Sequence, residues 1–156
     1  MAVDDIDRPL FDRVRVKASI RGRRMPETET RPMIESAMTI VPVSDVERSV
    51  AFYTGTLGFE TRFLAEDASI AIVMREPAVG VQLLHCEDPK ALEATANNIA
   101  IYFHVRGLDA LYEGLEAKLE ALPQGRLRPP FNQPYGMREF HVKDPDGCLL
   151  FFGEEV

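Results

Sequence analysis

Apolar and polar positions in this chain follow two periods, one near two and one near 3.6, and the periods succeed each other in the same order twice. Met38 to Val43 (MTIVPV) predicts a strand. Ser44-Asp45-Val46-Glu47 then has capping-box spacing, with Glu three residues after Ser. Val46, Val50, Tyr53 and Leu57 fall at helical spacing, and Gly58 supplies a natural stop. Three further strands are predicted at Phe59 to Leu64, Ser69 to Arg75 and Val79 to His85, with breaks at Glu66-Asp67 and Glu76-Pro77.

The order then restarts. Ile99 to Val105 (IAIYFHV) predicts a strand, and Asp109 is placed to cap a helix whose apolar face is Leu111, Leu115, Leu119 and Leu122. Pro123 and Gly125 end that helix. Strands are predicted at Arg126 to Arg128, Met137 to Lys143 and Cys148 to Gly153, the last two joined by a tight turn at Asp144-Pro145-Asp146-Gly147. Val43 and Val105 correspond, an offset of 62 residues. A strand-helix-strand-strand-strand unit that occurs twice implies two similar sheets side by side. Helices would cover one face of each, and the other faces would curve around a shared cleft.

Length and composition fit this picture. The 156 residues suit one domain, and 46% hydrophobic with 28% charged residues argues against wholesale disorder. We divide the chain into an arm or tail over 1–33 and a single domain over 34–156, built of modules at about 36–88 and 97–155. The arm holds RVRVK (Arg13 to Lys17), where alternating Val14 and Val16 suit a short edge strand, although a mobile tail explains the composition as well. No apolar run reaches the ~18–20 residues of a membrane span, and the N-terminus has no signal-peptide core. Two distant cysteines, Cys86 and Cys148, read as reduced thiols in a cytoplasmic protein.

Net charge is -7 and unevenly placed. Residues 1–33 carry eight basic and six acidic residues, whereas 34–156 carry ten and nineteen. An acidic body repels nucleic acid and favours cationic or neutral small partners. There is no P-loop, GxGxxG, GxSxG or HExxH motif, and the cysteines lack CxxC spacing.

Two long stretches carry a family resemblance. VPVSDVERSVAFYTGTLGFE (Val41 to Glu60) resembles the first-repeat signature of the vicinal-oxygen-chelate superfamily of glyoxalases, bleomycin-resistance proteins and extradiol dioxygenases. YGMREFHVKDPDGCLLFFGE (Tyr135 to Glu154) is similar to its closing hairpin, above all in the bleomycin-resistance branch. The resemblance implies an α+β fold in which paired βαβββ modules form a curved mixed sheet around a cleft. It also implies a homodimer with ligand clefts at the subunit interface.

In metal-dependent members the resemblance places ligands at four points, which here are Met38, Gln82, Ala100 and Phe151. Only Gln82 offers a donor, so we expect neither a metal nor another cofactor, and neither glyoxalase nor ring-cleaving activity. Strand alternation sends Met38, Ile40, Tyr102, His104, Glu139, His141 and Phe151 to the cleft. Gln82 and Tyr135 complete the candidate ligand-binding set. Tyr102, Phe131, Tyr135 and Phe151 suit stacking on a planar ligand, although aromatics also fill ordinary cores. His104, His141 and Glu139 are open to three readings: a relocated metal site, an acid/base pair, or side chains satisfied at a sheet surface, with Glu139 also able to pair with a cationic ligand.

The expected function is metal-free binding of a small, cationic or aromatic molecule, such as sequestration of an antibiotic. The alternative is a metal-dependent lyase, isomerase or dioxygenase with relocated ligands.

Overall fold

The computed structural model describes residues 36–76 and 78–156, so the strand expected within RVRVK lies outside the described residues. Two mixed four-stranded sheets repeat one topology, β1-β4-β3-β2 and β5-β8-β7-β6. The first is built from β1 (Thr39–Val43), β2 (Glu60–Leu64), β3 (Ile70–Glu76) and β4 (Val79–His85), with helix α1 (Val46–Gly55) after β1. The second comprises β5 (Ala100–His104), β6 (Leu127–Asn132), β7 (Met137–Lys143) and β8 (Leu149–Glu155), with α3 (Leu108–Glu120) after β5. In each, the first strand pairs in parallel with the last: Ile40 lies opposite Gln82, and Tyr102 opposite Phe151.

Alternation decides what each strand buries. Val41, Val43, Val81 and Leu83 of the first sheet and Phe140, Val142, Leu150 and Phe152 of the second point to the helices and are buried. They join Tyr53, Leu57 and Phe59 from one module and Leu108, Tyr112, Leu115 and Leu119 from the other in one contiguous core. Phe59 and Phe103 meet edge to face across it, with ring centroids 5.9 Å apart.

The caps differ from the sequence reading. Asp45, not Ser44, is the N-cap of α1, its carboxylate accepting from the Arg48 amide at 2.9 Å. Ser44 is drawn away by Asp146, to which its hydroxyl donates at 2.6 Å. Asp109 does not cap α3. Gly107 holds that position at φ 77°, a left-handed conformation that favours glycine, and offers no side chain. Glu154 of β8 supplies the carboxylate instead, accepting from the Gly107 amide at 2.7 Å and the Leu108 amide at 2.9 Å. Asp109 is engaged by Arg138 at 2.9 Å.

Two elements depart from expectation. Helix α2 (Pro89–Asn98), capped by Asp88 with Pro at its start, links β4 to β5 where no helix was predicted. Strand β6 continues past the predicted end at Arg128, through Pro129 and Pro130 to Asn132. It can do so because β6 is an edge strand and its register with β7 shifts between Arg128 and Phe131, so the missing amides cost no pairing.

The Asp144–Gly147 turn fastens the modules together. Asp146 accepts from the Ser44 hydroxyl and from Arg48 at 2.9 Å, and Tyr53 donates to the buried Asp144 carboxylate at 3.4 Å. Burial pushes the Asp144 pKa up to about 6, against the pull of the Cys148 amide. The folded chain therefore holds this proton more tightly than the unfolded chain. The resulting stabilisation is complete below about pH 4 and is lost as pH rises through about 6. Replacing Asp144 with Asn should remove that dependence. In urea unfolding, stability of the variant relative to the parent should rise between about pH 4 and 7, and a difference independent of pH would refute the assignment.

Candidate functional site

The site forms where the second sheet turns its helix-free face outward. Glu139 on β7 lies opposite Gly153 on β8 and Phe131 on β6, and its side chain is 0% exposed. An isolated carboxylate would be costly there. Four donors offset that cost. Tyr102 and Tyr135 hydroxyls donate to Oε1 at 2.8 and 2.9 Å, while Gln133 Nε2 donates to Oε2 at 2.9 Å and His141 Nε2 meets Oε2 at 2.8 Å. With Glu139 ionised, the His141 nitrogen is the donor in that pair. Burial works to raise the Glu139 pKa, but the Gln133, His141 and tyrosine hydrogen bonds outweigh it and hold the value at about 2. Burial, together with the same hydrogen bond to Glu139, raises Tyr102 to about 12.

Aromatic rings are ordered around this carboxylate. Tyr102 stacks on Phe151 at 5.8 Å with planes 12° apart. His104 lies 4.9 Å from Tyr102, and the His141 ring lies 4.3 Å from Phe151 and 5.0 Å from Phe131. Tyr135 is 64% exposed even while its hydroxyl is bound, so its ring stands at the rim. Gly153 makes the arrangement possible: a Cβ there would lie 1.9 Å from the Tyr102 hydroxyl oxygen.

The candidate residues thus fall into two groups. Tyr102, His104, Tyr135, Glu139, His141 and Phe151 are joined by these contacts on the second sheet. Met38, Ile40 and Gln82 belong to the first sheet, where Ile40 and Gln82 are register partners and Met38 reaches toward Met74 over Gly80. A groove of about 280 Å³ lies between the modules, but its first-module walls are Ala37, Thr39, Ala78, Val79 and Gly80, facing Tyr102 and His104. Met38, Ile40 and Gln82 do not line it. Gln133, the fourth partner of Glu139, was not singled out in the sequence. The signal available was its place beside Pro134 in the short connection between β6 and β7, six residues ahead of the carboxylate.

The donor set does not fit a metal ion. At the positions implied by family resemblance, Met38, Ala100 and Phe151 carry no N or O donor, leaving Gln82 alone. Glu139 and His141 are bonded to each other, and among the described residues no group of three or more His, Cys, Asp and Glu is placed to hold an ion. As a general base Glu139 is poorly suited, since its acceptor sites are filled and its proton affinity is low. The expected pairing of Glu139 with a cationic ligand meets the same obstacle: four donors already occupy its lone pairs.

Residues 35–152 match the model of the Glyoxalase/Bleomycin resistance protein/Dioxygenase superfamily, and the chain belongs to that superfamily. Among solved structures, it is similar to the bleomycin-binding protein of Streptomyces verticillus, crystallised with copper(II)-bleomycin. That match has 28% identity and a TM-score of 0.63, covering 78% of this chain and 97% of the other. A superfamily member from Sphaerobacter thermophilus is 26% identical, with a TM-score of 0.57 over 79% of this chain and 98% of its own. TnmS3, an antibiotic-binding protein from a Streptomyces species, shares the fold at 21% identity and a TM-score of 0.59, over 81% and 99% of the two chains. No curated protein sequence matches.

A Gly153→Ala substitution tests the architecture of the site. The new methyl would displace Tyr102 and leave a buried carboxylate acceptor short of one donor. We expect a loss of about 1–3 kcal/mol in urea unfolding, together with a fall of the Tyr102 pKa toward the usual phenol value. Parent-like stability and an unchanged tyrosine titration would refute it.

Proposed function

We propose that this protein binds a drug-sized aromatic molecule without a metal and holds it rather than transforming it. The observation that carries this reading is the Tyr102–Phe151 stack, flanked by His104 and His141 and fixed by the filled hydrogen-bond shell of Glu139. A rigid row of ring faces needs little ordering to accept a planar ligand, which favours affinity. The superfamily includes proteins crystallised with bleomycin, and the 28% identical relative is one of them. Antibiotic sequestration is therefore the first specific role to test.

Isothermal titration against bleomycin, with and without copper(II), and against a panel of planar aromatic drugs provides that test. We expect a saturable signal with at least one compound, weakened about tenfold by Phe151→Ala. Binding unaffected by that substitution would remove the stack from the site. Metal analysis of protein purified without chelator addresses the alternative of a metal-dependent enzyme, which predicts a stoichiometric ion lost in a His141→Ala variant.

We further propose a homodimer in which the apolar outer face of the first sheet is covered. Met38, Ile40 and Phe63 are exposed there, with Ile40 at 47%. An apolar patch of this kind commonly marks an association surface. Sedimentation should give a dimer, converted to monomer by Ile40→Glu; a parent that sediments as a monomer would refute it. No helix among the described residues is long and apolar enough to cross a membrane. We place the protein in the cytoplasm because Cys86 and Cys148 are free thiols.

A further inference from the structure

With the acceptors of Glu139 filled, the hydrogen-bonding groups this face offers a charged ligand lie at its edges. On β7, Met137, Glu139, His141 and Lys143 share one side, opposite Glu155, Gly153, Phe151 and Leu149 of β8. Glu155 stands at the Met137 end and Lys143 at the other, about 20 Å away at the rise of an extended strand. The two ends therefore carry opposite charge.

At the Lys143 end lies a second groove, of about 180 Å³. Its polar walls are Arg126, Arg128, His141 and Lys143, its apolar walls include Val142 and Leu149, and no carboxylate lines it. Arg126 donates to the carbonyl oxygens of Asp144 and Pro145, neutral acceptors that leave its charge uncancelled. The neighbouring Asp144 carboxylate is committed to Tyr53 and to the amides of Asp146 and Cys148. Arg128 lies 3.4 Å above the Phe131 ring, which holds the guanidinium plane in place. Among the described residues, neither the Arg128 N–H groups nor the Lys143 ammonium has a hydrogen-bond or ion-pair partner. His141 belongs to both places: it lines this groove, and its ring touches Phe131 and Phe151.

We propose that this groove is an oxyanion subsite, and that the ligand is a planar aromatic molecule bearing a carboxylate or phosphate. The inference rests on the aromatic-binding reading above and adds the sign of the ligand's charge. The rings of Phe151 and Phe131 take the planar part. Arg128 and Lys143 take the anionic group, with Arg126 adding to the local field. A guanidinium matches carboxylate and phosphate oxygens through paired N–H groups, and the apolar walls strengthen that attraction by excluding water.

Fluorescence titration of the full-length protein with four probes of one ring system tests this: naphthoate, naphthyl phosphate, neutral naphthamide and cationic naphthylmethylammonium. We expect at least one of the two anions to bind about tenfold more tightly than naphthamide, and the cation to bind no better than naphthamide. The two anions separate the carboxylate and phosphate forms of the ligand. Arg128→Gln and Lys143→Gln should each shrink the ratio of anion to naphthamide affinity. Equal binding of all four probes, or preference for the cation, overturns the oxyanion subsite while leaving the aromatic face standing. An anion preference that survives both substitutions also overturns it. Binding of none of the probes overturns the aromatic face and the subsite together.

Discussion

Everything on the open face of the second sheet is organised by the need to keep one ionised carboxylate out of water. Glu139 has no exposure, and a charge so placed is tolerated only when its lone pairs are filled. Filling them recruits Tyr102 from β5, Gln133 and Tyr135 from the loop before β7, and His141 from β7 itself. Each recruited side chain loses freedom, and three of the four are rings. Gly153 contributes by what it lacks, because the Tyr102 hydroxyl occupies the space of its missing side chain. The face is therefore held in shape by polar contacts beneath it, and a ligand need not organise it.

A second constraint sits in the turn that follows β7. The Asp144–Gly147 turn reaches across to the start of α1, where Asp146 takes the Ser44 hydroxyl and Arg48, and to the last turn of α1, where Asp144 meets Tyr53. These polar contacts border the core shared by the two modules. The residues before and after β7 thus act in opposite directions. Those before it complete the ligand face, and those after it secure the interior.

Much of the fold was legible in the sequence because its signals are periodic. β4 and β7 have the predicted bounds, the other strands except β6 shift by a residue or two at an end, β6 runs four residues further, and the buried apolar sides follow alternation. What the sequence hid was non-local. The cap of α3 comes from Glu154, 46 residues from Leu108, and no local spacing announces it. β6 passes through two prolines only because it is an edge strand, a property of topology rather than of the segment. Glu139 and His141 were identified as sharing a side, but whether the carboxylate was free or filled depended on Tyr102, 37 residues away, and on Gln133. The six second-sheet candidates are joined, whereas Met38, Ile40 and Gln82 lie on the other sheet, because alternation fixes a side chain's face without fixing how two sheets are disposed.

The same distinction governs charge. A net charge of -7 describes the chain's average field, and by itself it favours cationic partners. A bound molecule responds most strongly to charges within about a Debye length, roughly 8–10 Å at ordinary ionic strength. The walls of the groove beside His141 carry Arg126, Arg128 and Lys143 and no carboxylate, with the ionised Glu139 behind His141 at 2.8 Å. Three acids are occupied: Glu139 by four donors, Glu154 by the amides of Gly107 and Leu108, and Asp146 by Ser44 and Arg48. Carboxylates that satisfy the chain's own donors add to its net charge while offering few acceptor sites to a ligand. Composition counts those acids and bases alike, but hydrogen bonding leaves mainly the bases free at this end of the sheet, and the ligand meets only what is left free.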